Sequence, residues 1–334
     1  MSNYKNVYVT GSIAYDTIMN FPNEFQDYFH PEKLHQINVS FVVDKLEKQL
    51  GGTGTNISYN ISKILNNKLQ ITNKSQILNN KINQKPRIIL LGSIGKDGQE
   101  FIKFFKKNKI DASGVIFDKK LYTSAGSVIT DTKNNQIWGF YYGASEKIPY
   151  INFKKIDKDT DLLIISANHK NSFLYFQREA IKYKINYLYD PGMTLTWITD
   201  KDLKEGVMNC RYLVGNDYEI AMILKRLNVS INQLIDTRVN VITTLGEDGV
   251  QYYDVGAKRA SPLLIKVYKV KKMVDPTGAG DAWRGGFVAG LLLNYSTKDC
   301  LKLGNVMASF AIEKYGTVNH HPSKKEIEKR MKSL

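Results

Sequence analysis

Residues 274–287 read VDPTGAGDAWRGGF, a glycine-bearing turn that runs without a break into an apolar helix. Pro276 and Thr277 suit a turn. Gly278 and Gly280 let backbone approach backbone, or a ligand, with no Cβ in the way. Behind them Trp283, Phe287 and Leu291 recur every four residues with Val288 and Leu292 alongside, which is the spacing of a helix with a wide apolar face. The first amides of such a helix lack intrahelical acceptors, and the helix dipole favours negative charge there. Gly278, Ala279 and Gly280 thus form an anion site suited to phosphate. Asp281 stands just inside it, where a carboxylate repels phosphate. It has a use there if it takes the proton from a hydroxyl that attacks phosphorus; the alternative is a first-turn charge or cap. No lysine follows the glycines as in a Walker loop, and no clear strand leads straight into a G-x-G-x-x-G helix. Arg284 is placed either to stabilise phosphate or to brace the helix.

The rest of the chain supplies a frame for this segment. Strand-like runs at 5–11, 87–92, 162–166, 185–190 and 241–245 alternate with helical stretches. That order predicts βαβ units and a largely parallel sheet, whose ligands bind beyond the carboxyl ends of the strands. Asp16 follows the first strand, and its two oxygens can hold neighbouring hydroxyls; a surface turn is the other reading. Gly51 and Gly52 open LGGTGTN before a helical run, and Asn56 in that run both donates and accepts. Asn216 and Glu219, in NDYE, read as a helix cap with its reciprocal glutamate. Ile37, Val39, Phe41 and Val43 alternate as a strand exposed on one face. A hairpin at 124–131 and 136–142 would complete a small sheet with it. Residues 66–86 form an Asn/Lys-rich surface insertion. The expected division is a core of 1–12, 46–120 and 146–334, with a lid of 13–45 and 121–145.

Bulk properties exclude several classes. The 334 residues are 43% hydrophobic, ample for a core. No apolar run reaches membrane-spanning length, no apolar segment precedes the strand at 7–9, and two cysteines make no disulfide framework. The expectation is a cytoplasmic protein with no membrane partner. The charge of +15 comes from lysines scattered among abundant asparagines, so it demands no nucleic acid, although it would help gather an anionic nucleotide. The five histidines show no metal-ligand spacing.

DPTGAGD closely resembles the second signature of the PfkB family, the ribokinase-like sugar and nucleoside kinases. GGTGTN resembles its first signature, and NDYE, TLGEDG and GSIGKDG resemble further family segments in the family order. The resemblance implies a ribokinase-like three-layer α/β sandwich with a mostly parallel central sheet and a small β-sheet lid. It implies ATP and Mg2+ as cofactors and Asp281 as catalytic base beside Gly278, Ala279 and Gly280. Asp16, Gly51, Gly52 and Asn56 inherit the sugar side of the cleft. Thr244, Gly246, Gly249 and Asn305 inherit the nucleotide side, and Asn216 and Glu219 organise magnesium, mostly through water. The wording LHQINVSFVVDKL, the YYGA ending and DAWRGG resemble the bacterial-type adenosine kinase branch, implying transfer to the 5′-hydroxyl of adenosine. That branch places a phenylalanine near the start of the hairpin as a platform for the base. Here Gly126 or Ser127 stands there, leaving Trp138, Tyr122 or Phe140 to substitute. A kinase of ribose, fructose or a related sugar is the rival enzyme. A catalytically inactive binding regulator is the rival class, against which the retained Asp281 argues. The small-molecule acceptor binds a monomer, or a homodimer joined through the lid.

Overall fold

The computed structural model describes residues 4–29, 38–67, 86–133, 135–255 and 262–334. The chain runs β1 (Asn6–Thr10), β2 (Ala14–Asn20), β3 (Lys45–Gly51), α1 (Thr53–Asn66), β4 (Arg87–Ile94), α2 (Gln99–Asn108), β5 (Asp111–Phe117), β6 (Ser124–Thr130) and β7 (Gln136–Tyr141). It continues through β8 (Asp161–Ser166), α3 (Lys170–Lys182), β9 (Tyr187–Asp190), α4 (Asp200–Asn209), β10 (Tyr212–Asn216), α5 (Asp217–Leu227) and α6 (Ile231–Asp236). It ends with β11 (Asn240–Thr244), β12 (Val250–Tyr253), β13 (Leu263–Ile265), α7 (Ala279–Leu292), α8 (Thr297–Ala311) and α9 (Lys324–Lys332).

A nine-stranded sheet has the order β13-β12-β11-β10-β9-β8-β1-β4-β5. It is parallel from β11 across to β5, and only β12 and β13 return antiparallel at one edge. Its central strands are buried on both faces, which is why β8 reads DLLIIS with no polar alternation. One core joins Val7, Val9, Leu90, Ile57, Ile61, Trp283 and Phe287. The other, across the sheet, joins Leu163, Ile165, Val241, Phe173, Leu203 and Ile223. These are the three layers the sequence implied. From β1 the chain first builds outward to β4 and β5, then β8 adds on the opposite side of β1. The order reverses there, and such a reversal opens a crevice at the carboxyl ends of the strands.

A second, four-stranded sheet has the order β3-β2-β6-β7. The β6–β7 hairpin forms as expected, but the strand expected at 37–43 does not. Residues 38–43 carry no strand, and Leu34 and Ile37 lie outside the described residues. Phe41 instead packs its ring against Phe21 and Phe25, with centroids 4.8 and 5.1 Å away. The partners of the hairpin are β2, paired parallel to β6, and β3, paired antiparallel to β2. As a sheet edge, β3 has little to bury, so KLEKQLG carries no apolar alternation by which to recognise it. Two consequences follow. The lid reaches Gly51 rather than ending at 45, and Asp16 sits within a lid strand rather than just beyond β1. The expected insertion at 66–86 falls almost wholly outside the described residues; Asn66 and Asn67 close α1. Among the described residues no helix is long and apolar enough to cross a membrane.

Candidate active site

The opening turn folds as its glycines require. Gly278 adopts φ 76°, and a Cβ on it would meet Thr317 Cβ at 2.8 Å. Asp275 holds the turn from behind, its carboxylate accepting from the amides of Thr277 and Gly316, each at 2.9 Å. The amides of Gly280 and Asp281 have no acceptor among the described residues and begin α7, leaving the positive end of that helix open. Ala279 differs: its amide donates to Pro276 O at 3.1 Å.

α1 comes up beside α7. Its start is fixed by Gly52, at φ 87°, where a Cβ would fall 2.5 Å from Ser12 O. Thr53 and Gly54 amides bond Ser12, at 3.1 Å to Oγ and 2.9 Å to O. These contacts bring Asn56 against the catalytic candidate: Asn56 Nδ2 donates to Asp281 Oδ2 at 2.8 Å. Asn56 Oδ1 is buried with no partner. A buried acceptor without a donor costs about 1–3 kcal/mol, a penalty that a bound hydroxyl would remove. Asp16 approaches from the lid, so close to Gly51 that a Cβ there would lie 1.9 Å from its Oδ2. Its carboxylate makes no hydrogen bond or ion pair with any described residue. Burial, then the charges of Asp281 and Asp275, push the Asp16 carboxyl up to about 7. Burial lifts Asp281 to about 6, against the opposing pull of Arg284 and of the Asn56 hydrogen bond.

The other half of the crevice holds Asn216 and Thr244, paired across β10 and β11. Asn216 and Glu219 form a complete capping box: Asn216 Oδ1 accepts from Glu219 N and Glu219 Oε2 from Asn216 N, both at 2.8 Å. Glu219 Oε1 has no hydrogen-bond partner among the described residues. No group of acidic or thiol ligands able to cage a metal occurs among the described residues. The Glu219 carboxylate is a hard oxygen donor of the kind magnesium takes, and it suits an ion held chiefly by phosphate and water. Gly246 (φ 58°) and Gly249 (φ 106°) shape the loop after Thr244. A Cβ on Gly246 would meet nothing within 4 Å, so this loop is open to a ligand. Asn305 is instead a core residue, 3% exposed. Its amide donates to Ile265 O and Lys266 O, at 3.1 and 2.9 Å, and accepts from Trp283 Nε1 at 2.8 Å.

Two features escaped the sequence. Arg284 is buried, and it pairs with Asp190 at the end of β9 rather than facing the crevice. The only sequence signal was a carboxylate closing an otherwise apolar strand. The second is register: Asp16 lies opposite Gly126 on β6, and Gly126 opposite Phe140 on β7. Residues paired in this way share one face of the sheet, so Phe140 shares the Asp16 face, with a bare glycine between. The Phe140 ring packs edge-on to Tyr142, and Tyr142 to His169, both at 5.1 Å between centroids. Tyr122 is 54% exposed under the ammonium of Lys96, and the Trp138 side chain lies outside the described residues.

Residues 10–324 match the pfkB family carbohydrate kinases. The chain is similar to a nucleoside kinase of Methanocaldococcus jannaschii, 26% identical over 91% of this chain and 93% of that protein. A ribokinase of Lactococcus lactis is 27% identical over 74% of this chain and 80% of that one. A solved structure of Burkholderia thailandensis nucleoside kinase in complex with inosine superposes with a TM-score of 0.80 at 24% identity, covering 98% of this chain and 97% of that one. Another of the same kinase in complex with ADP-inosine gives a TM-score of 0.77 at 25% identity, covering 98% and 95%. With a family match across almost its whole length, the chain belongs to the PfkB family, phosphotransferases that take an alcohol group of a nucleoside or sugar as acceptor.

Proposed function

We propose that this enzyme transfers the γ-phosphoryl group of ATP to the 5′-hydroxyl of a nucleoside, with adenosine as the acceptor, giving AMP and ADP. The observation that carries the reading is the Asn56–Asp281 pair: a carboxylate at a helix start with open amides, held at 2.8 Å by an amide whose own oxygen lacks a donor. A hydroxyl placed there gives its proton to Asp281 as its oxygen attacks phosphorus. The Gly280 and Asp281 amides face the charge that builds on the transferred group. Asp16, unpaired on the lid, accepts from the ribose hydroxyls and turns the ring so that the 5′-oxygen points in line. Asn216 and Glu219 would hold Mg2+, mostly through water, and the ion would supply neutralisation of the phosphate charge. Closing the lid keeps out water, which would otherwise take the phosphate.

Phe140 favours a nucleoside over a free sugar, because its ring stands on the Asp16 face where a base would extend past the ribose. The glycine at 126 favours the second reading, a sugar kinase, because a free sugar needs no platform there. Measuring ATP turnover with adenosine, inosine, ribose and fructose separates them. Turnover confined to the free sugars overturns the nucleoside reading; turnover of inosine without adenosine keeps the nucleoside and removes adenosine. Asp281→Asn is expected to lower kcat by about 10²–10⁴-fold with nucleotide binding retained, and an unchanged rate removes Asp281 as the base.

A further inference from the structure

Arg284 lies three residues beyond Asp281 on α7, so the two side chains occupy neighbouring positions on one face of that helix. It is 7% exposed, and its partner Asp190 is 3% exposed. Arg284 Nη2 donates to Asp190 Oδ1, and Ser166 Oγ donates to Asp190 Oδ2 at 2.6 Å. The carboxylate is thereby fixed from β8 and α7, and it fixes the guanidinium in turn. Nη1 reaches back beneath the turn, 2.7 Å from where a Cβ on Gly280 would stand. A Cβ at 280 would displace the guanidinium from this place. Nε is buried and has no partner.

A buried ion pair of this kind is a poor way to stabilise a fold, since desolvation consumes most of the attraction. Its position suggests another use. The charged and polar groups that act on Asp281 are Arg284 from α7, Asn56 from α1, Asp190 from β9, Glu219 from α5 and Asp16 from the lid. Arg284 is the one cation among these carboxylates, and a polyphosphate brings further negative charge beside them. Without a fixed cation, a carboxylate in this company keeps its proton and cannot act as a base.

We propose that the Asp190–Arg284 pair is a positioning device for phosphoryl transfer. Asp190 and Ser166 anchor the guanidinium beneath the Gly280 turn, and that anchored charge holds the Asp281 carboxyl ionised and ready to accept the proton of the attacking hydroxyl. The inference rests on Asp281 being the base proposed above.

The test is the pH dependence of kcat for three variants, with Tm and near-ultraviolet circular dichroism read on each. Arg284→Gln removes the cation, and the acid limb is expected to move up by about one pH unit, so that near pH 6 the variant loses about fivefold more rate than it does near pH 8. Asp190→Asn preserves shape but releases the anchor, so the guanidinium is no longer held beneath the turn and the acid limb is expected to move up, by less than in Arg284→Gln. Arg284→Lys keeps the charge but not the planar fork, and its limb is expected to fall between wild type and Arg284→Gln. A purely structural ion pair predicts lowered Tm in all three with the limb unmoved. An unmoved limb, or a downward shift in Asp190→Asn, overturns the inference. If Arg284→Gln does not fold, Arg284→Lys and Asp190→Asn must still both move the limb up or refute it. Asp281→Asn measured alongside separates the two readings. Full activity there removes the base, whereas an inactive Asp281→Asn with unmoved limbs in the other variants removes only the role of Arg284.

Discussion

Gly285→Ala is a mutation one methyl in size that should disable the chemistry. Gly285 lies where α7 crosses α1, and a Cβ there would fall 2.4 Å from Asn60 Cβ and 3.0 Å from Ile57 O. Ordinary carbon contacts stand at about 3.5–4.0 Å, so the helices must part by roughly 1 Å. Neither can rotate away, because on the adjoining side a Cβ on Gly286 would already sit 2.6 Å from Leu303 O of α8. Ile57 is the next residue after Asn56, so the displacement passes directly into the 2.8 Å bond to Asp281. Overpacking of this size costs about 1–3 kcal/mol of stability, and a misplacement of about 1 Å costs about 10²-fold in rate. The assay is kcat at saturating ATP and acceptor, beside thermal unfolding. Gly290→Ala is the control. Its Cβ would meet Cys300 Sγ and Cα, each at 2.9 Å, on the α8 side and several turns from the site. It should lose comparable stability and keep kcat within about twofold. If Gly285→Ala melts earlier yet turns over at the wild-type rate, the α1–α7 crossing does not set the catalytic geometry.

Other expectations follow from the carboxylates and the lid. Because Asp281 is lifted to about 6 and must be ionised to accept a proton, kcat should rise between pH 5 and pH 7 and then level; a flat profile over pH 5–8 contradicts its role. Asp16, lifted to about 7, favours the folded apo protein while protonated and disfavours it as pH rises through that value. Asp16→Asn should therefore raise Tm more at pH 8 than at pH 5, while raising the acceptor KM at both. Phe140→Ala should raise KM for a nucleoside several-fold and leave any turnover of free ribose unchanged, and equal effects on both acceptors would take the ring out of base recognition. Glu219→Gln keeps the cap geometry but removes a charge, so the magnesium concentration for half-maximal rate should rise with little change in Tm.

The fold was readable from sequence wherever a residue type had a single structural use. The buried strands of the large sheet had to be apolar throughout, and Gly52 and Gly278 had to be glycine to take positive φ. Asn216 and Glu219 carried their cap in their spacing. The lid was harder because its strands are half solvated. Alternation at 37–43 marked a segment whose Phe41 feeds an aromatic cluster, whereas β3 is polar along most of its length. Within the site, Asp16, Asn56 and Asp281 were identified by type and place, and the structure brings Asn56 and Asp281 into contact. What sequence order could not supply was pairing across distance. The Arg284–Asp190 ion pair spans 94 positions, and the face shared by Asp16 and Phe140 exists only once three strands are in register.

The central strands of the lid are β2 and β6, which pair in parallel and come from chain segments more than a hundred residues apart. The proposed acceptor surface is therefore written in two separated passages, and neither is a sheet without the other. A single contiguous cassette cut from a relative would carry half of this surface and would have to match a foreign half in register. A one-residue slip would turn the side chains of the grafted strand to the opposite face. Changes of acceptor in a chain built this way are expected to accumulate by point substitution on the shared face, at positions such as 126 and 140, more readily than by exchange of whole segments.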